Sequence, residues 1–264
     1  MIPTSIVIWL CVAALFAFAL PIGTLLWWRG TRKAKLTPFF IGVLTFVVFA
    51  LVLEPLLHRF CVMGDNAVAR AINANPYLYM LYGALAAGVF EETGRYVAFR
   101  LLLSKRGFPG RDTAVTYGIG HGGIETMLLL GVTYGVYAAL ALLLRGGDYA
   151  TALALAGGDA AGLAMLLGQL GQLTPGMCAL AMLERLTAFL LQIALSCFVF
   201  LAARDKTQRS WFPFAIALHA IADMPAALYQ RGMLPLWAVE LWLAVFALYA
   251  LRSARKCYLE LMDP

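Results

Sequence analysis

Two adjacent carboxylates and one guanidinium lie within an otherwise apolar stretch, where residues 91–95 read EETGR. On a helix, residues three and four apart are neighbours, so Glu91 and Glu92 can each meet Arg95. One arginine shared by two glutamates leaves one carboxylate for acid or base chemistry. A structural ion pair is the alternative interpretation. Function is favoured, because a charge placed at mid-bilayer costs about 2.5–3.5 kcal/mol and commonly marks a working site.

Two further pairs place a histidine four residues before a carboxylate: His121 with Glu125, and His219 with Asp223. Residues four apart share one helix face. An imidazole and a carboxylate on one face suit metal binding or water activation. Glycines surround His121 in the sequence GIGHGGIE, so close packing of another helix or of a substrate is also expected there. Each pair alone is also compatible with a buried hydrogen bond.

A third stretch, residues 184–192, reads ERLTAFLLQ. Glu184 and Arg185 are interpreted as a structural ion pair that holds helices together. Gln192 follows two turns later, where it is expected to orient a water or a substrate carbonyl. Three more polar residues are expected near the outer ends of their helices, as interfacial or gating groups: Glu54, His58 and Glu240.

The elements that must position these groups are transmembrane helices. Of the 264 residues, 62% are hydrophobic and 13% charged, whereas soluble domains have about 45–50% and about 25%. A bilayer core requires about 20 apolar residues per helix. Seven stretches qualify: 4–28, 38–58, 77–103, 114–144, 177–203, 211–230 and 235–251. The sequence therefore predicts an all-α, polytopic membrane bundle, with one domain over residues 1–264 and the site helices within about 77–230. The stretch 150–172 is either an interfacial helix or a re-entrant segment.

The basic residues divide unequally between the two sides of such a bundle. Thirteen fall on one side: Arg29, Arg32, Lys33, Lys35, Lys105, Arg106, Arg111, Arg204, Lys206, Arg209, Arg252, Arg255 and Lys256. Four fall on the other: Arg59, Arg70, Arg145 and Arg231. Cytoplasmic loops are enriched in Lys and Arg, so we expect the N-terminus outside and the C-terminus in the cytoplasm. No basic cluster interleaves with aromatic residues outside the spans, so no nucleic-acid partner is expected.

Four blocks in order, EETGR, GHGGIE, ERLTAFLLQ and HAIAD at 219–223, resemble the YhfC family of intramembrane proteases. That family is similar to the CAAX prenyl endopeptidase and bacteriocin-processing group and to the PrsW-like proteases. The resemblance extends from the third to the sixth predicted span. It implies an endopeptidase of the cell membrane, the inner membrane in a prokaryote, that acts on membrane proteins or peptides.

The resemblance also implies roles for individual residues. Glu91 and Glu92 would supply the base that activates water, and Arg95 would hold them. His121 and His219 would bind or orient that water, directly or through a metal. Glu125 and Asp223 would support them. The resemblance leaves open whether a metal is bound; the ligands of a divalent metal such as zinc, if one is present, would be His121, Glu125 and His219.

The chain departs from the family pattern at Gln192, where these proteins tend to have histidine. Two histidines and a carboxylate still suffice for a catalytic zinc. The departure favours a metal-free, glutamate-based site or an inactive relative. Two other functions stay open: a proton- or cation-coupled transporter, which also needs buried ionisable groups, and a non-catalytic scaffold or immunity-type protein.

Overall fold

The computed structural model describes residues 2–105, 108 and 110–261, and within them it contains helices and no strand. The helices are α1 Thr4–Arg32, α2 Thr37–Cys61, α3 Ala67–Ala74, α4 Pro76–Lys105, α5 Asp112–Arg145, α6 Tyr149–Leu155, α7 Ala160–Gln172, α8 Pro175–Arg204, α9 Trp211–Gln230 and α10 Leu236–Lys256. Single π-helical turns interrupt α2 at Phe49–Leu53 and α5 at Met127–Val132.

Six of these helices are long and apolar enough to cross a membrane: α1, α2, α5, α8, α9 and α10. The helical membrane bundle predicted from the sequence is therefore confirmed. Helix α4 coincides with the predicted third span and has 30 residues, but its charged side chains lower its hydropathy and it is not among the six.

The ambiguous stretch 150–172 forms two short helices, α6 and α7, whose axes are bent by 91°. Gly157 and Gly158 join them, both in the left-handed backbone region with φ of 90° and 76°, which residues with a Cβ rarely adopt. The Asp159 side chain then caps α7 by accepting backbone N–H groups. Counted together as one broken span, α6 and α7 raise the number of candidate spans to seven.

Contacts between loops define one end of the bundle, which we call the basic end. Here α1, α4, α8 and α10 end and α2, α5 and α9 begin. Arg111 donates a hydrogen bond to the Tyr258 carbonyl at 3.2 Å, and the Lys35 ammonium lies 5.0 Å from the Phe108 ring centre. The basic end thus collects the loops on which most of the basic residues lie, although Arg106 itself is outside the described residues.

The opposite end holds the starts of α4, α8 and α10 and the end of α9. Arg231, after α9, donates a hydrogen bond to the Asn73 side chain at 2.8 Å. Its guanidinium also lies 3.7 Å from the centre of the Tyr79 ring. Which of the two ends faces the cytoplasm stays a prediction from charge.

Glycines allow α5 to lie very close to two neighbours. A Cβ at Gly120 would collide with the Phe39 carbonyl of α2, and one at Gly42 would collide with the Tyr117 carbonyl of α5. On another face of α5, a Cβ at Gly122 would lie 2.9 Å from the Gln192 Cβ of α8. The glycines that flank His121 therefore serve helix packing, which was one of the two expectations for them.

The largest buried cluster lies at the basic end. It joins α4, α8 and α10, mainly through their second halves, to α5 and α9, mainly through their first turns, and it extends to Ala222 and Leu243 near the middle of the bundle. Its fully buried aromatic members are Phe99, Tyr117, Phe198 and Phe200. This close packing fills the bundle on that side of the polar residues described next.

Candidate active site

Glu92, Arg95 and His219 form the innermost part of the site. Glu92 and Arg95 are completely buried, and an Arg95 Nη1–H donates a hydrogen bond to Glu92 Oε1. The same carboxylate oxygen lies 2.6 Å from Nδ1 of His219, on α9. Glu92 is therefore fixed between a guanidinium and an imidazole, and it is not among the residues that line the cavity described below.

Glu91 has a different environment from Glu92, although the two residues are adjacent. Its Oε2 lies 3.4 Å from Arg95 Nη2, 2.9 Å from His121 Nε2 and 3.2 Å from Gln192 Nε2. Its side chain is 9% exposed and lines a cavity that opens beside the site. Of the two glutamates, Glu91 borders this cavity and Glu92 does not. We call the group Glu91, Glu92, Arg95, His121 and His219 the central network.

His121 is completely buried behind Glu91 and lies outside the cavity lining. The ring of Phe46 packs edge-on against it, and Tyr117 stacks on it at 5.9 Å between ring centres. The close approach of α2 at Gly120 brings Phe46 into the neighbourhood of the imidazole. His121 therefore contacts Glu91 from the side away from the cavity.

Gln192 connects the central network to a second polar group. Its Oε1 accepts a hydrogen bond from Arg95, and its Nε2 donates to Glu125 Oε2 at 2.7 Å as well as to Glu91. The glycine at position 122 lets α8 come close enough for this amide to reach both carboxylates. Gln192 thus lies at the centre of the polar residues, as its depth in the helix predicted.

Glu125, Arg185 and Glu184 form what we call the outer network. Arg185 donates to Glu125 Oε1 at 3.0 Å and pairs with Glu184 next to it in the chain. The predicted pairing of Glu184 with Arg185 is present. However, Glu125 of α5 pairs with Arg185 of α8 and does not form a joint site with His121. His121 instead contacts Glu91 of α4.

His219 lies between two carboxylates, because its Nε2 is 3.3 Å from Asp223 Oδ2 while its Nδ1 faces Glu92. Both ring nitrogens can donate at once only when the ring carries both hydrogens. The Asp223 side chain is 40% exposed, and both residues line the cavity. The predicted His219–Asp223 pair is therefore present and faces the same space as Glu91.

The cavity has a volume of about 430 Å³ and extends from the central network towards the end opposite the basic loops. Its wall includes residues that the sequence did not single out: Met63, Tyr79, Tyr82 and Gln230. A 2.7 Å hydrogen bond joins the Tyr82 hydroxyl to Nδ1 of His58. His58 was expected to be an interfacial or gating residue. The sequence feature that could have indicated this part of the wall is the group of tyrosines at positions 77, 79 and 82, at the start of an otherwise apolar helix.

A sequence model described as "YhfC intramembrane metalloprotease" matches residues 16–243. The chain belongs to the YhfC family. It is 34% identical over 249 residues to the "Uncharacterized membrane protein YhfC" of Bacillus subtilis (strain 168), and the match covers 94% of each chain. No solved structure matches. Together with the apolar helices, this relative shows a multi-pass integral membrane protein, and the family resemblance inferred from the four blocks is confirmed.

The description of the YhfC family implies a metal, so the donor atoms must be compared with what a metal needs. A catalytic zinc takes three protein ligands. Among the described residues, no three His, Cys, Asp or Glu side chains are grouped to hold an ion. Within the central network, the buried atoms without a hydrogen-bond partner are Arg95 Nε, His121 Nδ1 and Glu92 Oε2. Of these, only His121 Nδ1 and Glu92 Oε2 are atoms of metal-binding residue types.

The predicted ligand set of His121, Glu125 and His219 is accordingly not assembled. His121 Nε2 faces Glu91, Glu125 is engaged by Arg185 and Gln192, and both nitrogens of His219 face carboxylates. The positive charge between Glu91 and Glu92 comes from Arg95. The residues in this arrangement therefore do not fit a bound zinc.

Proposed function

We propose that this protein is an intramembrane endopeptidase in which Glu91 activates water to hydrolyse a peptide bond of a membrane protein or membrane-associated peptide. The observation that supports this most directly is the asymmetry of the two glutamates. Glu92 is enclosed, whereas Glu91 borders the cavity and is held by Arg95, His121 and Gln192. A base must reach the proton that it removes, and Glu91 has the required access.

The proposed reaction begins when Glu91 removes a proton from a water molecule in the cavity. The water oxygen then attacks the carbonyl carbon of the scissile bond, and the carbonyl oxygen becomes an oxyanion. When the tetrahedral intermediate collapses, the C–N bond breaks and the amine leaves with the proton that Glu91 had accepted. Atoms and charge balance with one water consumed for each bond cleaved.

His219 is proposed to donate to the oxyanion. Its Nε2 faces the cavity, where the exposed Asp223 carboxylate is its partner at 3.3 Å. Asp223 can give way to a substrate oxygen because its side chain is not enclosed. A positioned donor of this kind typically lowers the barrier by about 3–4 kcal/mol. Glu92 holds the ring from its other side at 2.6 Å, which fixes the direction of donation.

The transporter hypothesis is less well supported. A transported ion would need a route past the central network to the basic end. The described residues there pack into a cluster of fully buried apolar and aromatic side chains. The cavity and the ionisable residues are thus arranged as a site at the bottom of a cleft.

Replacement of Glu91 by Gln tests the proposal, because it preserves shape and hydrogen bonding while removing the base. Glu240→Gln is the matched control, since Glu240 and Glu91 have the same whole-residue exposure of 7% but Glu240 lies on α10 outside the network. Cells that produce wild type or either variant are compared by mass spectrometry of protein N-termini in the membrane fraction. We expect new N-termini in wild type and Glu240→Gln cells, and a loss of about 10²–10⁴-fold in Glu91→Gln cells.

Equal amounts of folded protein in the three membranes are verified by size-exclusion chromatography in detergent. Cleavage products that persist in Glu91→Gln cells would refute the role of Glu91 as base. If wild-type cells gave the same protein N-termini as cells that do not produce the protein, the result would favour the scaffold hypothesis.

A further inference from the structure

Among the described residues of α4, α8, α9 and α10, the cavity borders only those between about the middle of each helix and one of its ends. On α4 the lining residues run from Tyr79 to Glu91, on α8 from Glu184 to Gln192, and on α9 from His219 to Gln230. On α10 they are Val239 and Leu243, both in the first half of the helix. Since α4, α8 and α10 begin where α9 ends, all these segments belong to the end opposite the basic loops.

The other halves of the same helices close the cavity from below. No described residue after Glu91 on α4, after Gln192 on α8 or before His219 on α9 contributes to its wall. Those segments contribute instead to the buried cluster at the basic end, in which Phe99 and Phe198 are completely enclosed. Glu91, Gln192 and His219 therefore form the floor, and the close-packed cluster lies beneath it.

The mouth of the cavity is exposed. Met63, in the loop before α3, is 77% exposed and lines the wall. Across from it, the Tyr79 hydroxyl donates to Gln230 Oε1 at 2.9 Å, and this contact ties the start of α4 to the end of α9. Gln230 is itself exposed, so the wall is continuous from solvent-accessible residues at the mouth to the buried floor.

We infer that substrate enters the site from the end of the bundle opposite the basic loops and reaches Glu91 as an extended segment. This inference rests on the proposed function for the identity of the substrate, but its geometric part does not. Glu91 lies fifteen residues after Pro76, roughly 22 Å along the helix at 1.5 Å per residue. At about 3.3 Å per residue, an extended chain covers that depth with roughly seven residues.

An unwound segment fits this space better than a helix does. The cavity volume of about 430 Å³ is in the usual range for a ligand cleft. A helix with its side chains is about 10–12 Å wide and would displace the walls throughout its length. With the basic loops in the cytoplasm, as their charge predicts, the substrate is a membrane protein cleaved through a segment exposed on the extracytoplasmic side.

Sided labelling of introduced cysteines tests the direction of access without requiring proteolysis. Ala226→Cys and Ala188→Cys place a thiol on the cavity wall at two depths. Met63→Cys marks the mouth, and Arg29→Cys marks the basic end, where Arg29 is exposed. The partly exposed native cysteines, Cys11 and Cys61, are first replaced by alanine. Right-side-out and inside-out membrane vesicles are then treated with a small, positively charged, membrane-impermeant methanethiosulfonate.

We expect Ala226→Cys and Ala188→Cys to react in the same vesicles as Met63→Cys, and to lose labelling in the vesicles where Arg29→Cys reacts. Labelling of both wall thiols from the side of Arg29→Cys would overturn the inference. So would an absence of labelling from either side while Met63→Cys reacts, because the cavity would then be closed. Two wall positions are used so that a folding defect in one variant, seen by size-exclusion chromatography, leaves the other to decide.

The outcome separates this inference from the proposed function. If the wall thiols react as expected and Glu91→Gln leaves cleavage unchanged, the route of access stands and the role of Glu91 fails. If Glu91→Gln abolishes cleavage and the wall thiols react from the basic end, the catalytic role stands and the route fails.

Discussion

The central and outer networks contain the same types of charged side chain, but in environments that differ in burial and in the number of hydrogen-bond partners. Each combines two carboxylates with one arginine. In the central network Arg95 is completely buried and two histidines from α5 and α9 complete the contacts. In the outer network Arg185 is 14% exposed, and the carboxylates are engaged by Arg185 and the Gln192 amide. Charge pairing alone therefore does not define the site.

The central network is distinguished by the number of hydrogen-bond partners around Glu91, the carboxylate that borders the cavity. Glu91 is held from three directions and still borders the cavity, whereas Glu184 depends mainly on its neighbour Arg185. A group positioned in this way before substrate arrives needs little reorganisation during the reaction. The outer network, higher on the same wall, is suited to contact the substrate chain on its way to Glu91.

The largest difference between the two networks is expected from removal of their arginines. Arg95→Met leaves Glu91 and Glu92 buried without their cation, and breaking a buried pair typically costs about 3–5 kcal/mol. Arg185→Met affects partly exposed groups, so we expect a clearly smaller loss. Thermal unfolding of the detergent-solubilised proteins measures both. If Arg185→Met lowered the unfolding temperature as much as Arg95→Met, the distinction between the two networks would be wrong.

Spacing alone predicted contacts within α4 and α9 but not within α5, where His121 and Glu125 take separate partners. The three- and four-residue separations in EETGR place both glutamates against Arg95, and the separation in HAIAD places His219 against Asp223. The approximate depth of these blocks also predicted that they would meet, and contacts from α4 to α5, α8 and α9 now join them.

Spacing did not predict that His121 takes Glu91 as its partner, that His219 also contacts Glu92, or which glutamate is accessible. Neighbouring residues on a helix point about 100° apart, and only the packing of the other helices decides which direction faces a cavity. The closeness of α8 at Gly122 draws Glu125 towards Gln192 and Arg185, while His121 turns to Glu91. These outcomes depend on contacts between distant segments, which no local pattern specifies.

Gln192 is the connection between the networks, and its removal should have an intermediate effect. Gln192→Leu keeps the size of the side chain but removes its hydrogen bonds to Arg95, Glu91 and Glu125. We expect cleavage to fall about tenfold, since one hydrogen bond to a charged group is typically worth about 1.5–3 kcal/mol and only the orientation of Glu91 is disturbed. Product formation in proteoliposomes, with a substrate identified from the N-terminal analysis, provides the measurement.

Gln192→Glu is the informative companion to this variant, because it is similar in shape but adds a carboxylate beside two others. It should reduce cleavage more than Gln192→Leu does. Equal cleavage by wild type and Gln192→Leu would show that the networks act independently of each other.

The smallest effect is expected from removal of metal. Arg95 already places a fixed positive charge between Glu91 and Glu92, and the nitrogens of His121 and His219 that have partners face carboxylates. A glutamate base with histidine donors can activate water and stabilise an oxyanion without a further cation. Prolonged dialysis of the purified protein against EDTA and 1,10-phenanthroline should therefore leave cleavage of the same substrate unchanged, with metal content followed by elemental analysis. The opposite result would be activity that is lost on dialysis and restored by zinc, together with a loss of bound zinc in His121→Ala and His219→Ala. It would show that the two histidines leave their carboxylate partners to bind an ion. The central network would then be a set of metal ligands rather than a metal-free acid–base site.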